Sequence, residues 1–269
     1  IEQRPGYGTV IRKDIPVLVS AFGTTESAFS TYEKMDAVFR RKMPGRAVYW
    51  SYSSRMVKTD LKRGKNVNLP DPAELLFDLE RQGHQWAVLQ SLHVVGGHEF
   101  HRLAFEGSRS NLRLSLGLPL LSSPEDYREA ARALAPVIPE HGSGCAAVLL
   151  GHGTDHPVWA SYLALETIIC REYGVDHIFT GVVEGYPSME ITVDRVRQSG
   201  FSRVVLIPFM LVAGVHFKED IAGKSDSWQA AFEAADIGVS VVQNGIGALD
   251  GISSLFVRHI EEALDVIPL

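Results

Sequence analysis

The stretch CAAVLLGHGTD at residues 145–155 decides the reading of this chain. An apolar run passes straight into Gly-His-Gly-Thr, as expected of a strand buried on both faces that leaves its sheet through small residues before a helix. The same pattern stands at residues 15–25, IPVLVSAFGTT, an offset of 130. A second pair matches AVLQSLHVVGGHEF at 87–100 to VVLIPFMLVAGVHF at 204–217, an offset of 117. Such offsets fit a duplicated α/β unit whose loops have drifted.

Outward from these segments, β-branched runs predict strands at 17–21, 47–51, 87–92, 114–118, 147–151, 178–183, 204–210 and 239–243. Amphipathic stretches predict helices near 25–42, 71–82, 99–109, 124–137, 158–173, 188–198, 226–235 and 249–265. Regular alternation of the two implies an α/β chain with parallel sheets covered by helices. PVIPEHGSG at 136–144 reads as a linker, so two similar lobes are expected, 1–139 and 140–269. A cleft between them would hold ligands beyond the carboxyl ends of the strands.

With 269 residues, 45% apolar and 22% charged, the composition excludes a disordered chain or a coiled-coil rod. The longest apolar stretch, 204–215, is far short of the roughly 20 residues of a membrane helix, so no span is expected. A formal net charge of −6 disfavours a nucleic-acid partner. Cys145 and Cys170 lack CxxC spacing and read as two buried thiols. The chain starts at Ile1 rather than Met, which gives the expectation of an exported, periplasmic chain, with a cytoplasmic one as the alternative. GIGALDG at 245–251 has the wrong spacing for a dinucleotide fingerprint, and GxSxG, Walker A, HExxH and EF-hand patterns do not occur.

Ten histidines point to metal or proton chemistry. His152, Glu184 and His216 each follow a predicted strand of the second half, so three adjacent parallel strands would bring them to one edge. Two imidazoles and a carboxylate suit a borderline divalent cation and leave coordination positions open. Gly151 and Gly153 would let a bulky ligand approach, Tyr186 would orient Glu184, and Pro187 would open a helix. His156 is a ligand, a supporting partner or a helix-start residue.

GHGTDHP, VEGYPS and above all FMLVAGVHFKEDIAGKSDSW resemble the anaerobic, class II cobalt chelatases, which insert Co²⁺ into sirohydrochlorin. VSAFGTT and QSLHVVGGHE extend the likeness over essentially the whole chain. The resemblance implies a two-lobed chelatase fold, a tetrapyrrole in the cleft, and metal held by His152 and His216 with Glu184 completing the site. Those two histidines would also accept protons. His98-Glu99 departs from the adjacent acids common in related sequences, which leaves open whether Glu99 joins the site. The donor set accepts Co²⁺ and Fe²⁺ alike. Arg55, Lys58 and Lys62, in the polar interruption 55–72, are candidates to clamp the carboxylates of the substrate. His93, His98 and His101 crowd the end of a first-half strand, and His98 is a candidate axial ligand for haem at a subunit contact. A homo-oligomer is expected. The alternative function is a carrier that binds tetrapyrrole or metal without turnover.

Overall fold

The computed structural model describes residues 14–23, 29–53, 70–214 and 217–268. Its first sheet has β1 (Val17–Ala21) between β2 (Val48–Tyr52) and β3 (Trp86–Ser91), with β4 (Arg113–Gly117) outside β3. The second has β5 (Cys145–Gly153) between β6 (Ile178–Glu184) and β7 (Arg203–Pro208), with β8 (Gly238–Val241) outside β7. All pairs are parallel. The two strand orders, β2-β1-β3-β4 and β6-β5-β7-β8, repeat each other, as duplication requires.

Helices connect the strands: α1 (Phe29–Lys42), α2 (Pro72–Arg81), α3 (His98–Ser108), α4 (Pro124–Leu134), α5 (Ala160–Tyr173), α6 (Met189–Gln198), α7 (Trp228–Ala234) and α8 (Asp250–Asp265). Two begin where sequence places a stop on extended chain. Asp71 and Ser123 each form a reciprocal cap with the residue three further on, Glu74 and Asp126, and Pro72 and Pro124 occupy the following position, where a missing N–H costs nothing. Pro187 does not act in this way: α6 begins at Met189 behind Ser188.

Side-chain alternation in the central strands feeds two layers. Leu18 and Leu89 join Leu76, Leu79 and Leu103 on one side of the first sheet, while Val17, Val19 and Val88 join a larger cluster on the other. That larger cluster also takes in Leu149 and Ile207 from the second sheet and Leu165 and Ile169 from α5, so one continuous apolar core joins the lobes. The last helix, α8, returns to pack on α1, α4, β3 and β4 of the first half, burying Ile252, Phe256 and Ile260.

A buried charge cluster fixes this return. Asp126 accepts from His259 Nε2 at 2.9 Å and from the Arg258 guanidinium, and its other oxygen accepts from the Ser122 and Ser123 amides. His259 Nδ1 faces the Leu118 carbonyl at 3.0 Å. Burial would raise the pKa of Asp126, but the hydrogen bonds from His259 and Arg258 overcome it and hold the carboxyl well below the usual carboxylate range. The two thiols expected in the core are half-buried and unpaired, at the start of β5 and in α5. Gly245, from the rejected dinucleotide pattern, serves packing, since a Cβ there would lie 2.5 Å from the Met210 carbonyl oxygen.

Candidate functional site

His152 and Glu184 stand at the carboxyl ends of neighbouring strands. Gly153 is the register partner of Glu184, so His152 is one step short of it, about 6 Å away between Cα atoms by ordinary strand spacings. Both side chains are exposed. His216 lies outside the described residues, between Gly214, which follows β7, and the buried Phe217. Arg55, Lys58 and Lys62 also lie outside them.

The glycines beside His152 serve the fold rather than a ligand. A Cβ at Gly151 would sit 2.2 Å from the Tyr162 ring, and one at Gly153 would sit 1.8 Å from the Glu184 carbonyl oxygen. Gly153 also has φ of +90°, where an L side chain is strained. The close approach anticipated for a ligand is taken up by the protein itself, and it seats β5 against β6 at the site. Tyr186 likewise does something other than orient Glu184. Its ring packs edge-on against Trp159 at 5.6 Å between centroids. The two rings are 47% and 37% exposed, a wide aromatic surface beside His152 and Glu184 that sequence reading missed.

Across from this edge, the carboxyl end of β3 leads into α3, and the two lobes meet through histidines. His98 Nε2 lies 2.8 Å from Asp155 Oδ1. The His156 ring lies 5.1 Å from those of both His98 and His101. His156 does act at a helix start: its Nδ1 accepts from the Val158 amide at 3.2 Å, capping the short turn Pro157–Trp159, which leaves its Nε2 for other partners. Glu99 is held by Arg102 at 2.6 Å. His93 is half-buried, with Nδ1 2.8 Å from Ser91 Oγ, and desolvation of the ring, reinforced by the Arg102 charge, lowers its pKa to about 4, so the ring is neutral near pH 7.

Chemically, this edge offers an imidazole and a carboxylate on adjacent strands, an aromatic surface next to them, and further imidazoles where the two lobes meet. Such a set is able to hold a dication with open positions and to accept protons close to it.

Comparison with known proteins gives a consistent picture. The family model described as cobalt chelatase (CbiK) matches residues 16–265. The sirohydrochlorin cobaltochelatase of Salmonella typhimurium is 33% identical over 258 residues, covering 93% of this chain and 96% of that protein. Sirohydrochlorin cobaltochelatase CbiKC of Nitratidesulfovibrio vulgaris is 29% identical over 262 residues, covering 93% and 91%. In fold, the chain is similar to SirB from Bacillus subtilis with Fe³⁺, at a TM-score of 0.65, 14% identity and coverage of 93% and 95%. It is also similar to the sirohydrochlorin chelatase SirB in complex with cobalt, at a TM-score of 0.64, 14% identity and coverage of 94% and 96%.

Proposed function

The chain belongs to the cobalt chelatase family, and on that premise we propose that it inserts Co²⁺ into sirohydrochlorin in the cleft between the 1–139 and 140–269 lobes, with His152, Glu184 and His216 holding the incoming ion. The observation that carries the reading is the placement of His152 and Glu184 on adjoining strand ends, close to the exposed Trp159 and Tyr186 rings, with His156, four residues beyond His152, meeting His98 and His101 of the other lobe.

Insertion must strip water from a dication, present it to the macrocycle and remove two pyrrolic protons. Neutral imidazoles and one carboxylate replace part of the hydration shell while leaving positions for the pyrrole nitrogens. A closed set of four protein ligands would retain the ion. The Trp159 and Tyr186 rings supply a face for the macrocycle, and Arg55, Lys58 and Lys62 pair with its carboxylates. As two N–H bonds give way to bonds to cobalt, two protons leave. His152 and His216, whose lone pairs are freed as the ion passes to the macrocycle, accept them, and the His156, His98 and His101 group, where the lobes meet, provides a path towards solvent. Fe²⁺ is a second substrate on this reading, because the donor types do not separate the two ions.

Haem on His98 and assembly into a homo-oligomer are finer readings carried by the sequence. Haem ligation through Nε2 would require release of Asp155, so the bound form is expected to disturb that contact. The absorbance of sirohydrochlorin, followed with excess Co²⁺ at catalytic protein concentration, tests the proposal. Repeated turnover supports it, and a change that stops at stoichiometric amounts would make the protein a carrier.

A further inference from the structure

His141, Asp176 and His177 meet far from the cleft. Their ligand atoms all lie within 4.8 Å of one another. His177 immediately precedes β6, and Glu184 ends that strand, so the group stands about 20 Å from the proposed insertion site, at the opposite edge of the second sheet. We propose that these three residues form a second divalent-metal site, selective for a borderline transition ion such as Co²⁺, Ni²⁺ or Zn²⁺, which clips the interlobe linker to the second sheet.

His177 is 2% exposed, and its backbone is pinned by the Ala147 amide, which donates to its carbonyl at 2.8 Å. Its Nε2 lies 3.0 Å from the Pro139 carbonyl oxygen. A carbonyl only accepts, so Nε2 carries the hydrogen and Nδ1 presents a lone pair. This is how a metal-bound imidazole is usually oriented, with the far nitrogen donating to a backbone carbonyl.

That lone pair points at a second potential donor. His141 Nδ1 lies 3.2 Å from His177 Nδ1 and 3.8 Å from Asp176 Oδ1. With metal–nitrogen bonds of about 2.1 Å, the nitrogen separation corresponds to an N–metal–N angle of about 100°, between the octahedral and tetrahedral values. The exposed carboxylate offers a third ligand and charge compensation, and water completes the shell. Two imidazoles and one carboxylate favour a transition ion over Mg²⁺ or Ca²⁺, which prefer oxygen. His141 belongs to the linker and Asp176-His177 to the approach to β6, so one ion would tie the two together. The linker is held elsewhere by Arg203, which donates to the Ser143 carbonyl at 2.7 Å.

The test uses the full chain stripped with a chelator, with Co²⁺ as the probe, read by equilibrium dialysis and by visible absorption. Measurements are made on the parent, His141→Ala, Asp176→Asn, His152→Ala and the His141→Ala/His152→Ala pair. His141 is exposed, so its loss leaves the fold intact, which circular dichroism verifies. Expected is one fewer bound Co²⁺ in His141→Ala than in the parent, weaker binding in Asp176→Asn, and loss of the Co²⁺-dependent rise in melting temperature. His141→Ala should insert metal at the parent rate when Co²⁺ is saturating. If His141→Ala binds as much Co²⁺ as the parent, the proposal fails. Loss of the ion in His141→Ala but not in His152→Ala would uphold this site while counting against the insertion site, so the two readings fail separately.

Discussion

His98 Nε2 and Asp155 Oδ1, 2.8 Å apart, join the first turn of α3 to the loop that follows β5 and so bridge the two lobes at the cleft. Both groups are largely exposed, at 64% and 91% of the side chain, which sets the scale of their contribution. Exposed pairs stabilise by at most about 1 kcal/mol. His98→Ala and Asp155→Asn are therefore expected to shift urea midpoints only slightly. A loss of several kcal/mol in either variant would show that the lobes depend on this bridge. Haem-replete preparations of the same His98 variant test the haem reading, since a Soret band unchanged by the substitution would reject His98 as the ligand.

The Asp126, Arg258 and His259 cluster behaves differently because it is buried. Removing one partner leaves a charge without compensation, and Asp126→Ala is expected to cost about 3–5 kcal/mol by chemical denaturation. The linkage has a definite sign. The folded-state pKa of Asp126 is depressed, so its stabilisation is present above the ordinary carboxylate value of 3.8 and disappears as pH falls through the depressed folded value. A loss below about 1 kcal/mol would show that α8 is secured by apolar packing alone.

His93 supplies a second acid limb at higher pH. Unfolded, the ring titrates near 6.5, and folded near 4, so below 6.5 the unfolded chain binds a proton that the folded chain refuses. Stability should decline from about pH 6.5 to about pH 4 by roughly 3 kcal/mol from this group. His93→Gln should flatten that decline whatever its constant effect on folding. Parallel pH profiles for parent and variant would contradict the desolvated, neutral ring.

Trp159 and Tyr186 form an exposed edge-on pair beside the proposed insertion site. Loss of one ring that contacts a macrocycle costs on the order of 1–3 kcal/mol of binding. Trp159→Ala should therefore raise KM for sirohydrochlorin about tenfold or more while kcat changes little. A fall in kcat at unchanged KM would remove the ring from substrate binding.

Much of the fold was legible because its strands are buried on both faces. Val17–Ala21 and the apolar part of Cys145–Gly153 read as continuous apolar runs, and their repetition exposed the duplicated architecture. Placement at strand ends likewise drew attention to His152 and Glu184. Contacts between residues distant in sequence were not legible. No local pattern shows that Tyr162 fills the space beside Gly151, that His259 reaches back to Asp126 over 133 positions, or that His141 meets His177 over 36. The glycines around His152 show the same limit, since their chemistry suits a ligand cradle and strand packing equally, and only the neighbouring Glu184 carbonyl and Tyr162 ring decide between them.

The most direct test of the central claim is steady-state cobalt insertion by His152→Ala against the parent, with sirohydrochlorin and Co²⁺ saturating and the fold checked by circular dichroism. The account predicts that the parent forms many equivalents of the cobalt product per chain while His152→Ala loses at least about a hundredfold in rate, the scale of removing a positioned proton acceptor. Turnover by His152→Ala at the parent rate with unchanged Co²⁺ affinity would contradict it.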